Sequence, residues 1–231
     1  MKSILLFLDK LDAKEIPFNY NYFFSIAFYN KLRLYQENIG FLHNKQMQDI
    51  HTFSSIISRD LTISDSGIDF KKATIVFRSL DDRVIEYLKV GLSLDNIIYI
   101  GNSKILVKSV KDLDPPDFRG GEIKFKSLSP ALIRNFNNKK YFVIKEDVSE
   151  NLSKSIVWSI KKYMGITADP PVIEKYSSSV KTVQVSNTGI ILNAILLRGK
   201  IRGSEEIIKF AYYKGFGSKT GLGLGCWEVI D

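Results

Sequence analysis

Cysteine is almost missing from this sequence. Cys226 is the single one, so no intramolecular disulfide can staple the fold. Histidine is nearly as scarce: His43 and His51 are the only two, which argues against a closed zinc site and sets the expectation that no metal or other cofactor is used. No apolar run approaches the roughly 20 residues of a membrane helix, and the stretch 190–197 is strand-sized. The opening MKSILLFLDK turns charged after a short apolar run and offers no small-residue cleavage site. It reads as a strand rather than a leader, so the expected setting is the cytoplasm, with no membrane partner.

Negative charge is the other shortage. Twenty-five Asp and Glu face 33 Lys and Arg, a net charge of +8 and a pI near 9.3, which favours a polyanionic partner. Aromatic residues are plentiful, with 15 Phe and 11 Tyr, so the chain can bury a core and disorder is excluded. Its 231 residues suit one large domain or two small ones.

Along the chain, 4–8 reads as a buried strand. Residues 20–35, free of Gly and Pro, read as a helix with Ser25, Phe28, Leu32 and Tyr35 on one face and Tyr22, Ile26 and Tyr29 beside them. Strands follow at 51–57 and 73–77. Asp81 is placed to cap a helix carrying Val84, Ile85 and Leu88, and strands return at 97–100 and 105–110. The stretch DLDPPDFRGG (112–121) concentrates Pro115, Pro116, Gly120 and Gly121 and reads as a linker, dividing the chain into expected domains 1–116 and 117–231. The pattern then restarts. A strand is expected at 123–128, and a helix at 149–164 burying Leu152, Ile156 and Ile160. A hairpin of 180–185 and 189–198 turns through Asn187-Thr188-Gly189, a helix capped by Ser204 follows, and a last strand covers 222–230. Each half runs strand, helix, two strands, helix, strand. That order is the split βαβ pattern of the ferredoxin-like (RRM-like) α+β fold, here twice in tandem with antiparallel sheets.

The most conspicuous local feature is KGFGSKTGLGLGCWEV near the end of the chain. A phosphate-binding P-loop requires G-x-x-x-x-G-K-[ST] between a strand and a helix. Here Ser218 precedes Lys219-Thr220, a helix comes before the loop and a strand after it, so a nucleotide cradle is excluded. Glycine backbone can still approach a phosphate closely, with Lys214 and Lys219 adding attraction. Arg119, Arg198 and Arg202 are further candidates for one basic surface. The competing reading is a tight helix-to-strand connection.

That C-terminal stretch resembles the glycine-rich motif of the CRISPR-associated repeat-RNA endoribonucleases, the Cas six family of the RAMP superfamily. FKSLSP (125–130) is similar to the family's phrase opening its second ferredoxin-like domain. NYNYFFSIAFYNKL, FLHNKQ and HTFSS resemble its first helix, histidine segment and next strand, in that order. The resemblance implies cleavage of CRISPR precursor transcripts without metal, by attack of a ribose 2′-OH that leaves a 2′,3′-cyclic phosphate and a 5′-OH. It implies CRISPR repeat RNA, precursor and mature guide, as partner, and leaves effector-complex subunits and a homodimer open. Carried over residue by residue, it places Tyr29 and His43 in proton transfer or positioning of the 2′-OH. At the family's lysine position stands Asp49; the nearest lysine is Lys45, which becomes the third catalytic candidate. The expected RNA contacts are Lys214, Gly215, Gly217, Lys219, Gly221, Gly223, Arg198 and Arg202. His51 matches no family position and is left out of catalysis. Asp81-Asp82 reads as a helix cap rather than a metal site, and Cys226 as a buried, inert thiol. Two other readings stand beside this one: a RAMP protein that holds repeat RNA without cutting it, and a subunit whose basic face meets an acidic protein.

Overall fold

The computed structural model describes residues 1–35, 49–136, 147–186 and 189–231. His43, Lys45 and the Asn187-Thr188 turn lie outside them.

The first sheet grows around β1 (Lys2–Lys10), whose Ile4, Leu6 and Leu8 alternate into the core. A 16-residue helix, α1 (Tyr20–Tyr35), crosses to β2 (His51–Phe53). A two-stranded ribbon, β3 (Thr62–Ile63) and β4 (Ile68–Asp69), leads into β5 (Lys72–Ser79). Helix α2 (Asp82–Leu94) and the hairpin β6 (Ile97–Ile100) and β7 (Ser103–Asp112) complete the half. Strand order is β2-β5-β1-β7-β6, all neighbours antiparallel. Without the outer β6 this is the ferredoxin-like order.

The second half gives the same order with nothing added. Strand β8 (Glu122–Ser127), helix α3 (Val148–Met164), strands β9 (Val172–Gln184) and β10 (Ile191–Arg202), helix α4 (Glu205–Lys214) and strand β11 (Trp227–Ile230) form the sheet β11-β8-β10-β9. Each half has its own core, one built around Phe24, Phe28, Phe53 and Phe77, the other around Phe125, Phe210, Phe216 and Trp227.

Local chemistry explains the helix starts. Asp81 accepts a hydrogen bond from the Arg83 amide at 2.9 Å, and the Ser204 hydroxyl accepts one from the Ile207 amide at 3.4 Å, as their positions predicted. Some expectations need correction. Helix α1 buries Phe24, Ser25, Ala27, Phe28 and Leu32, whereas Ile26 and Tyr35 are exposed, because the buried stripe is turned toward Phe24. The last strand starts at Trp227 rather than residue 222. Gly223 and Gly225 take positive φ, and a short 3-10 turn (Thr220–Leu222) breaks the extended run.

The two halves are fastened by polar contacts. Arg78, 2 % exposed, donates to the Trp227 carbonyl and lays its guanidinium 3.7 Å over the Tyr212 ring. The Ser55 amide donates to the Leu128 carbonyl at 3.0 Å.

Candidate nucleic-acid interface

The glycine loop is the main seam between the halves. It runs from the end of α4 back along α1. The Asn21 amide group donates to the Gly223 carbonyl at 3.3 Å, and the Thr52 hydroxyl to the Leu224 carbonyl at 3.0 Å. At its other end the Lys219 amide donates to the Asp49 carboxylate at 3.2 Å, and the Thr220 hydroxyl to the Asp49 carbonyl at 3.0 Å. Glycine is required here by contact as well as by backbone angle. A Cβ on Gly225 would stand 1.9 Å from the Phe216 carbonyl oxygen, and one on Gly217 2.4 Å from that of Leu132. Both have φ near +75°.

This revises the role expected for Lys214. Its side chain is buried, with the ammonium donating to the Gly217 carbonyl, and burial pulls its pKa down to about 8 against the opposing attraction of Asp49. Gly215, Gly217 and Gly223 are buried in the seam as well, and so is Gly221. The tight-connection reading accounts for these residues. Lys219, half-buried and in the left-handed backbone region, stays at the rim.

Tyr29 sits where α1 passes this seam. The half-buried phenol belongs to the rim of the first core, 6.2 Å between ring centroids from His51. Burial, and secondarily the charge of Asp49, push its pKa up, so it stays a protonated phenol at neutral pH. In that form its hydroxyl can both donate and accept a hydrogen bond. His51 is fully buried and stacked on Phe77 at 5.4 Å. Burial lowers its pKa to about 4, outweighing the attraction of Asp49 and a hydrogen bond from its ring to the Gly221 backbone; Nδ1 has no partner among the described residues.

Asp49 is thus the hub of the junction. Besides the glycine loop, its backbone hydrogen-bonds Tyr163 at the end of α3, and its charge reaches Tyr29, His51, Tyr163 and Lys214. In sequence Asp49 is visible only as a departure from the family's lysine position. Nothing in its local sequence signals that it ties together the two halves.

Arg198 and Arg202 lie on the outer face of the second sheet. Register places Arg198 beside Lys126, Lys200 beside Lys124 and Arg202 beside Glu122. Carboxylates temper this face: Lys126 meets Glu228 at 2.8 Å, Lys200 meets Glu122 at 2.9 Å, and Arg202 lies 3.5 Å from Glu122 and 3.7 Å from Glu174. Arg119 pairs with Asp117 at 2.7 Å and is engaged locally. Between α1 and the β9–β10 hairpin opens a cavity of about 360 Å³, bordered by Phe18, Asn21, Ser127, Lys181, Gln184 and Leu224. Asn21 and Tyr29 stand eight positions apart on α1, an axial rise of about 12 Å. Among the described residues no three His, Cys, Asp or Glu gather as metal ligands, and no helix is long and apolar enough to cross a membrane.

Comparison with known proteins gives two adjoining family matches. Residues 15–111 match the model described as CRISPR-associated protein Cas6, N-terminal, and residues 113–229 that of CRISPR associated protein Cas6, C-terminal. The chain is 26 % identical to a CRISPR-associated endoribonuclease-like protein, Cas6nc, of Pyrococcus horikoshii, with all of both chains covered. It is 27 % identical to the CRISPR-associated endoribonuclease Cas6 1 of Methanocaldococcus jannaschii, over 91 % of this chain and 85 % of that one. A solved structure described as an RAMP protein binding different RNA substrates superposes with a TM-score of 0.87 at 27 % identity over the whole of both chains.

Proposed function

Because this chain belongs to the Cas6 family, we propose that it binds CRISPR repeat RNA and cleaves precursor transcripts within the repeat. The observation that carries this reading is the ordered match of both halves to the family, 15–111 and 113–229. Relatives named as endoribonucleases and an RNA-binding RAMP structure support it.

The chemistry we assign is metal-independent. The 2′-oxygen attacks the adjacent phosphorus, its proton passes to a base, the bond from phosphorus to the 5′-oxygen breaks, and an acid returns a proton to that oxygen. The products carry a 2′,3′-cyclic phosphate and a 5′-OH. The protonated Tyr29 hydroxyl positions the 2′-OH. His43, whose unperturbed imidazole titrates near neutrality, moves the proton, and Lys45 offsets charge on the phosphorane. Lys219, Arg198 and Arg202 hold the RNA backbone, while the glycine loop sets the seam along which it lies.

A second reading is a protein that holds repeat RNA without cutting it. Asp49 favours it: a carboxylate, built into the seam by Lys219 and Thr220, occupies the place of the expected lysine. Incubating the protein with end-labelled repeat RNA in EDTA separates the two. One defined cut supports the nuclease; retention of intact RNA on the protein supports the holder.

A further inference from the structure

Helix α3 leaves one large aromatic open. Trp158 is 50 % exposed, whereas the other tryptophan, Trp227, is fully buried. A lone exposed apolar side chain means nothing by itself, but the surroundings of Trp158 set it apart. One turn on, Lys162 holds its ammonium 5.4 Å from the Trp158 ring centroid and 4.5 Å from that of Tyr163, and donates to the Tyr163 hydroxyl at 2.9 Å. Tyr163 packs against both cores and is hydrogen-bonded by the backbone of Asp49. The ammonium is therefore tied through Tyr163 to the junction where the charge of Asp49 reaches Tyr29, and the indole lies one turn of helix before it.

The last turn of a helix ordinarily repels anions. Here it carries Lys161, exposed, and Lys162, so the sign is reversed. Tyr163 lies between Asp49 and Lys162: the Asp49 backbone hydrogen-bonds it from the first half, and the Lys162 ammonium donates to its hydroxyl. An open indole with a lysine one turn away has the two elements that single-stranded RNA uses, a stacking surface for a base and a charge for its phosphate.

We propose that Trp158 and Lys162 form a binding step for one unpaired RNA nucleotide: its base stacks on the indole, its phosphate meets the ammonium, and the strand continues toward Tyr29. The proposal rests on the RNA-binding reading above and holds whether or not the strand is then cut.

Titrating the full chain with single-stranded repeat RNA tests it, following tryptophan emission and, separately, filter binding. Emission should be quenched in the wild type, since Trp227 is shielded in the core. Trp158→Ala should weaken binding about tenfold and Trp158→Phe much less. Lys162→Gln should flatten the slope of log affinity against log salt by about 0.7, while Lys162→Arg retains it. Both positions are partly exposed, so thermal melting should be unaltered and exclude misfolding. Wild-type affinity in Trp158→Ala and Lys162→Gln, or RNA binding without quenching, would overturn the proposal and leave the RNA reading standing. No binding by the wild type would overturn both.

Discussion

At the scale of single residues, burial decides which ionisable groups can take part in chemistry. Burial and Asp49 both raise the pKa of Tyr29, so its phenol is protonated at neutral pH, and the role proposed for it is that of a hydrogen-bonding group. Tyr29→Phe should lower the single-turnover cleavage rate about a hundredfold while leaving RNA affinity within about twofold, since the ring keeps its place beside His51. A rate unchanged in the variant would remove Tyr29 from the mechanism. His51 behaves oppositely to a catalyst. Its folded pKa of about 4 lies below the ordinary 6.5, so between those values the unfolded chain binds more protons than the folded one. Stability is then full above pH 6.5 and falls as pH drops toward 4, by about 3 kcal/mol in all. Urea unfolding across that range should show the loss in the wild type, and His51→Gln, which keeps an amide donor for the Gly221 backbone, should flatten it.

At the scale of elements, the glycine loop is a docking device whose residues were visible in sequence before their purpose was. The clustering of Gly215, Gly217, Gly221, Gly223 and Gly225 announced close approach, but a phosphate and a neighbouring backbone make the same demand on glycine. Only the fold supplies the partner: Phe216 and Leu132 carbonyls, Thr52 and the ring of Phe53. Gly223→Ala, with φ +72° and an added Cβ 2.2 Å from the Phe53 ring across the seam, should therefore destabilise the protein by about 3 kcal/mol or more through clash and positive φ together. Gly189→Ala, with φ +83° but nothing within 4 Å of the added Cβ, should cost about 1 kcal/mol. Equal unfolding midpoints for the two variants would contradict the docking role. The helices were more legible. Asp81 and Ser204 cap where their sequence positions indicate, because a cap is a local bond. Strand β9 begins at Val172, well before the expected residue 180. Its first part buries Ile173 between exposed Val172 and Glu174 but alternates no further, and it is fixed by pairing with β10 rather than by its own pattern.

At the scale of the whole molecule, the tandem ferredoxin-like order was legible because hydrophobic periodicity and caps repeat in each half. The junction was not, since it assembles Tyr29, Asp49, Tyr163 and Lys219 from four distant segments. The excess of positive charge is also unevenly available, and counterion release distinguishes the groups that meet RNA. Each exposed cation that contacts a phosphate of a single strand should contribute about 0.7 to the slope of log affinity against log salt. Arg198→Ala and Lys219→Ala should each reduce the slope by that amount. Lys214→Met should leave the slope unchanged, since the buried ammonium already serves the Gly217 carbonyl. A reduced slope in Lys214→Met would mean that the loop opens to bind RNA.

The most direct measurement of the central claim compares two end-labelled repeat RNAs in EDTA, one all-ribose and one with a single 2′-deoxy substitution before the cleaved phosphate. Cleavage of the first alone, leaving a 2′,3′-cyclic phosphate, is the expected result and follows from attack by the 2′-OH. Equal cleavage of both would contradict the mechanism, and tight binding with neither cut would make this chain a holder of repeat RNA.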